Sequence, residues 1–340
     1  MRVVNSALKM RESDRNLIAM TMADVLFGDD FEPAGDGDGG GGGDGDGELG
    51  RVVAWFTRQP NLQNRFSGVL RRSIDEVLDG QRTGRYDLND PNVAKTEKTY
   101  LGTKVEIVCQ SEFDLPRGSG MDYSVDGVDV DAKFSLTGGW MIPIEAMGHI
   151  CLVMSADDAA SSFRVGLVRI KDEILTSGGN RDGKRSISAR GRSAIRWLVQ
   201  GGALAPNVLL QLDPETRRRI EAVPAGQQRV NQVFSLLQGT VIDRNVIATV
   251  ARQLDAPKRV RDARHQLRSE GIVILGHQND SPGIARELGL EVPTKGTWIA
   301  ASLALAQPDD TRPGAVIDGK TYVVAKAGET RAPVPTTLRF

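Results

Sequence analysis

Cysteine is scarce in this chain of 340 residues, with Cys109 and Cys151 the only two, and histidine hardly commoner, at His149, His265 and His277. Two cysteines give no disulfide framework, and no spacing joins them to the histidines as a zinc site would require. Aromatic residues make up only 5% of the chain. Nor is there an apolar run near the ~18 residues that a membrane span needs. The stretch from Leu17 to Phe27 is interrupted by Asp24 and lacks a small-residue cleavage site, so it does not read as a signal peptide. These absences predict a reduced, cytoplasmic protein with no membrane partner.

What the chain does have is an uneven distribution of charge. The formal net charge of −1 conceals 4 Lys/Arg against 11 Asp/Glu in residues 1–50 and 17 against 8 in residues 177–270. A polyanion-binding surface is therefore expected in the second half. Residues 35–47, GDGDGGGGGDGDG, hold nothing to bury against their chain entropy, so 1–47 is expected to be a disordered, low-complexity extension. Helical spacing of Leu62, Phe66, Val69, Leu70, Ile74, Val77 and Leu78 predicts a helix ending at Asp79-Gly80. Strands are predicted at 103–109, 121–125, 128–134, 150–155 and 163–170, and a helix around 189–200. The fold class is α/β (α+β), a mixed sheet core over 48–200, with breakers from Gly201-Gly202 to Pro206 supplying a linker at 201–207. Beyond it, 227–238, 243–254 and 257–269 read as three short helices, and 271–278 as a strand entering a turn. That is the order of a winged helix-turn-helix, so 208–340 is expected to be a second, DNA-binding domain.

The most informative stretch is Met121 to Phe134, MDYSVDGVDVDAKF. Asp-Gly between alternating segments signals a two-residue hairpin turn. With Asp126-Gly127 as the loop, Val125 faces Val128, Ser124 faces Asp129, Tyr123 faces Val130 and Asp122 faces Asp131. One side is wholly apolar and belongs to the core; the other gathers Asp122, Asp129, Asp131 and Lys133. Like charges placed opposite each other destabilise a sheet. A divalent cation relieves that repulsion, and magnesium in particular is satisfied by one or two carboxylates plus water and phosphate oxygens. Lys133, on the same face, is placed to act on an attacking water or on the charge developing at phosphorus. Asp-x(8)-Asp-x-Lys is thus a candidate phosphodiester-cleaving site; a solvated polar face of an edge hairpin is the bland alternative.

With Asp122, Asp131 and Lys133 in this hairpin, Glu106 25 residues before Asp131, and DGQRTGRY at 79–86, the chain resembles the NaeI (type IIE) family of restriction endonucleases over about residues 50–300. No proline precedes Asp122, which follows Gly120-Met121. The resemblance implies a PD-(D/E)xK nuclease core and brings Glu106 into the active site, as a third metal or water-orienting carboxylate. It also implies Mg2+ as cofactor, a palindromic GC-rich target, GCCGGC, a second, effector copy of the site bound by the winged-helix domain, and a cognate DNA methyltransferase as partner. In the family's ligase-like segment the acceptor lysine is replaced here by Val77, so no covalent ligase chemistry is expected.

A two-fold symmetric target calls for a homodimer with one active site per strand. In the third C-terminal helix, Lys258, Arg261 and His265 lie on the side opposite Val260, Ala263 and Leu267, with Arg259 and Arg264 flanking, and these five are the expected DNA contacts. Arg181, Lys184 and Arg185 in GGNRDGKR are expected to touch the DNA backbone; the segment is not a phosphate loop, because Arg185 stands where Ser or Thr is needed. Two other functions share these features: a winged-helix regulator with an inactive nuclease-fold domain, and a nicking repair endonuclease.

Overall fold

The computed structural model describes residues 46–340, which form one compact unit. Most of the expected N-terminal extension lies outside the described residues. Its last two positions do not belong to an extension. Asp46 accepts a hydrogen bond from Leu49 N at 3.0 Å, capping helix α1 (Gly47–Thr57), and is bound by Arg169 from across the fold at 2.6 Å.

Helix α2 (Leu62–Leu78) buries the apolar stripe expected of it and stops at Asp79, whose φ of 46° is the left-handed conformation that short polar side chains tolerate. A single turn, α3 (Gly80–Thr83), leads to helix α4 (Lys95–Phe113), whose start is closed by Glu97 accepting from Ala94 N at 2.8 Å. The strand predicted at 103–109 is part of this helix. Val105, Ile107 and Cys109 alternate over five residues, but over the longer span the buried positions are Leu101, Val105, Val108, Cys109 and Phe113, at helical spacing, while Ile107 is exposed.

The first sheet runs β1-β2-β4-β5-β7: β1 (Tyr123–Val125), β2 (Val128–Ser135), β4 (Ile150–Asp157), β5 (Ser162–Arg169) and β7 (Arg196–Ala203). Between β2 and β4 the short β3 (Met141–Ile142) pairs with β6 (Arg185–Ser186). The sheet is mixed, since β2 and β4 pair in parallel and all other neighbours are antiparallel. The helix expected around 189–200 is instead a 3-10 turn followed by β7, where Val199 and Trp197 pair with Val165 and Gly166 of β5 across a register shift. Strand β7 also occupies the start of the expected linker, so the chain does not leave the first core until Leu204.

A second apolar core takes over at Leu209. It is built by α5 (Pro214–Glu221), α6 (Gln227–Leu236), α7 (Arg244–Ala251) and α8 (Ala256–Leu267), with β8 (Val241–Asp243) between α6 and α7. After α8 come β9 (Ile272–Leu275), α9 (Ser281–Glu287), β10 (Thr297–Leu305), β11 (Gly314–Ile317) and β12 (Lys320–Val324). Strand β10 is the centre of the second sheet, pairing antiparallel with β8, β9 and β12. Among the described residues no helix is long and apolar enough to cross a membrane.

Candidate active site and nucleic-acid interface

The hairpin has the predicted register, with Tyr123 opposite Val130, Ser124 opposite Asp129 and Val125 opposite Val128. Asp126 and Gly127 both have positive φ, 50° and 75°, as a type I′ turn requires. Tyr123, Val125, Val128 and Val130 are buried against the helices, and the Tyr123 hydroxyl donates to the Glu106 carbonyl at 2.8 Å. That bond ties α4 to the hairpin.

On the polar face the four side chains divide. Asp129 accepts from Ser119 N, Ser119 Oγ and Gly120 N at 3.0, 2.7 and 2.8 Å, so it pins the loop that leads into Asp122 and is not free for chemistry. Asp122 Oδ2 accepts from Ala132 N at 2.7 Å, a side-chain bond at the point where the β1–β2 ladder ends. Asp131 is buried at 8% exposure and Lys133 Nζ lies 2.5 Å from its Oδ2. Lys133 Nζ also donates to the Ala132 carbonyl at 2.9 Å.

Burial pushes the Asp122 carboxyl above its ordinary range; the Ala132 amide opposes this and the neighbouring Asp131 charge adds to it. Glu106 is raised for the same reasons, first by burial and then by Asp122. Lys133 lowers both, but a single ammonium stands among three carboxyl groups. The site thus gathers carboxyl groups whose ionised forms disfavour one another. Among the described residues no three His, Cys, Asp or Glu side chains converge as a ready metal cage, so the set Asp122, Asp131 and Glu106 is not preassembled around an ion. Asp122 and Asp131 still suffice for a cation that takes one or two carboxylates and completes its shell with water and phosphate. The donor chemistry fits magnesium.

Glu106 reaches this place from a helix, not from the strand the sequence pattern suggested. A residue outside the predicted set also enters the site. Cys151 pairs with Asp131 across the parallel β2–β4 ladder, and its thiol donates to Asp131 Oδ2 at 3.4 Å. Nothing in the sequence linked these two, because parallel pairing joins residues that no local turn connects.

The expected DNA contacts fare unevenly. Arg261 and His265 are exposed on α8. Lys258 donates to Asp262 at 2.9 Å, and Arg259 pairs with Asp255 at 3.4 Å. Arg264 points inward, its Nε donating to the Ile274 carbonyl at 2.9 Å, because α8 packs on β9 along that edge. In the 181–185 loop Arg181 and Lys184 are exposed, whereas Arg185 is held by Asp172 and the Thr176 carbonyl, each at 2.6 Å.

Comparison with known proteins identifies the family. A family model described as restriction endonuclease NaeI matches residues 51–333. The type II restriction enzyme NaeI of Lentzea aerocolonigenes is 41% identical over 303 residues, covering 86% of this chain and 95% of the relative. With nearly the whole relative matched and the carboxylate hairpin in place on a mixed sheet, the chain belongs to the NaeI family of restriction endonucleases.

Proposed function

We propose that this protein is a magnesium-dependent type II restriction endonuclease that hydrolyses both strands of duplex DNA at a GC-rich palindrome, GCCGGC. It acts as a homodimer alongside a methyltransferase that protects the same sequence. The observation that carries the reading is the polar face of the hairpin, where Asp122 and Asp131 stand together with Lys133 in contact with Asp131.

Asp122 and Asp131 are the residues that would hold the cation, with Glu106 behind them. Bound there, magnesium supplies Lewis acidity and charge at the scissile phosphate. The Lys133 ammonium orients an attacking water through its lone pair and stabilises negative charge building on the phosphate. Water adds to phosphorus and gives up a proton to solvent, the P–O bond to the leaving nucleotide breaks, and the leaving oxygen takes a proton from solvent. All four groups of the site are present, which argues against an inactive nuclease-fold regulator.

The change of core between Leu204 and Leu209 supports a cutting unit ending near residue 204 and a DNA-binding unit from 208 to 340. In the latter, α6, β8, α7, α8, β9 and β10 follow the order of a winged helix, with α8 as the recognition helix. The test is supercoiled plasmid carrying GCCGGC incubated with and without magnesium, followed by sequencing of the ends. Double-strand cuts at one position, only with the metal, are expected. Asp131→Ala and Lys133→Ala should each abolish cutting while DNA binding stays within a few-fold. Wild-type rates in either variant would remove the hairpin from the mechanism.

A further inference from the structure

A cleft of about 410 Å³ opens between α7, α8 and the segment that joins β9 to β10. Five basic side chains line it: Arg244, Arg261, Arg264, His277 and Lys295, with no Asp or Glu among the lining residues. Asp255, the N-cap residue of α8, pairs with Arg259, and Asp262 on α8 pairs with Lys258.

Arg264 forms the back wall. Its guanidinium lies 4.4 Å over the Phe340 ring, and a Cβ at Gly276 would sit only 3.0 Å from its Nη2, so the absence of a side chain there leaves room for it. Only Nε has a protein acceptor among the described residues. Burial first, and then the like charge of Arg261, bring its pKa down to about 10. A half-buried cation facing other cations is an unfavourable arrangement unless an anion completes it.

We propose that this cleft grips the phosphodiester backbone of a DNA duplex lying along α8, with Arg244, Arg261 and Lys295 contacting phosphate oxygens and Arg264 as the fixed cation behind them. The inference rests on reading the C-terminal half as a DNA-binding unit. Of the five contacts expected on α8, Lys258 and Arg259 are tied to acids, and the phosphate-holding role passes to Arg244 and Lys295, which the sequence pattern did not single out. The lining holds no Asp or Glu side chain and draws its cations from three elements, which suits phosphate better than the mixed donor and acceptor edges of bases.

Arg244 and Lys295 are exposed, so replacing them leaves the core untouched. The experiment is fluorescence anisotropy of the full-length chain with a labelled duplex carrying GCCGGC and with a scrambled duplex, in calcium, across a salt series. A thermal melt checks that each variant is folded. Each phosphate contact contributes roughly 0.9 to the slope of log K against log salt. Arg244→Ala combined with Lys295→Ala should lower that slope by about 1 to 2 and weaken both duplexes by a similar factor. The single Lys295→Gln should give about half the change in slope. An unchanged slope in a folded double variant overturns the cleft while leaving DNA binding intact, and so does a loss confined to the cognate sequence. Failure of the wild-type chain to bind either duplex overturns the underlying reading.

Discussion

Asp131 shows how a side chain's neighbours decide what its sequence position can reveal. Its partnership with Lys133 is local, two residues apart on one face of a strand, and its approach to Asp122 follows from an Asp-Gly turn, so both were legible in the sequence. The thiol of Cys151 was not, because it arrives through the parallel β2–β4 pairing. Its S–H fixes one oxygen of a carboxylate that must stay oriented, and a single hydrogen bond of this kind is worth about 0.5–1.5 kcal/mol. Cys151→Ala should therefore lower kcat about 3- to 10-fold with KM little changed, and Cys151→Ser, which keeps a donor, should recover most of the loss. Single-turnover cleavage measures this. Equal rates for the alanine and serine variants would mean that the thiol only fills space.

Among the elements, the contrast between α2 and α4 explains where periodicity fails. Helix α2 presents one continuous stripe and a stop at Asp79, so both its existence and its end were readable. Helix α4 lies across the hairpin with β-branched residues on both its buried and its exposed sides, and a short window through Val105, Ile107 and Cys109 mimics a strand. The DGQRTGRY segment between them gains a physical role. A Cβ on Gly80 would come 2.2 Å from Thr249 Oγ1 and 2.8 Å from the Arg85 carbonyl, so this turn sits directly against α7. Tyr86 then packs at the margin of the second core. Overpacking at such a place costs about 1–3 kcal/mol. Gly80→Ala should lower the urea midpoint accordingly, and a variant as stable as the wild type would show that the contact relaxes without cost.

The same region carries a buried charge cluster. Arg71 is shared between Asp75, at 2.6 Å, and Asp158, at 2.5 Å, and Asp158 also accepts from Asn207 at 3.2 Å. Burial, opposed by Arg71 and reinforced by the Asp243 and Asp158 charges, leaves the Asp75 carboxyl raised to about 6. One guanidinium does not balance two desolvated carboxylates. With its folded pKa above the unfolded value, the native state holds more protons between pH 4 and 6, so stability falls as pH rises through that window and levels off above it. The size of the effect is at most on the order of 2–3 kcal/mol. Asp75→Asn should flatten this part of the pH profile of urea unfolding. A variant profile parallel to the wild type from pH 4 to 6 would assign the slope to other groups.

At the scale of the whole molecule, the connection between the two cores becomes the issue. The sequence, through its breakers and its change of charge, led to an expected linker at 201–207, whereas Gly201 and Gly202 lie within β7. It gave no sign that the halves meet through α3 against α7, or through Asn207, which donates both to Asp158 and to the Tyr86 carbonyl, the latter at 2.7 Å. A ligand on the C-terminal half thus has a packed and hydrogen-bonded route to α2 and to the turn between β4 and β5. Coupling of this kind is a free energy shared by two sites and is reciprocal in binding. On the proposed function, a plasmid with a single GCCGGC site should be cut slowly, and a short duplex carrying the site should accelerate it. Couplings of 1–3 kcal/mol correspond to about 5- to 150-fold. Asn207→Ala, which removes one junction contact and leaves the hairpin untouched, should reduce the acceleration while the unstimulated rate stays near that of the wild type. Initial rates against effector concentration decide the matter: if the variant is stimulated as strongly as the wild type, the coupling does not pass through this junction.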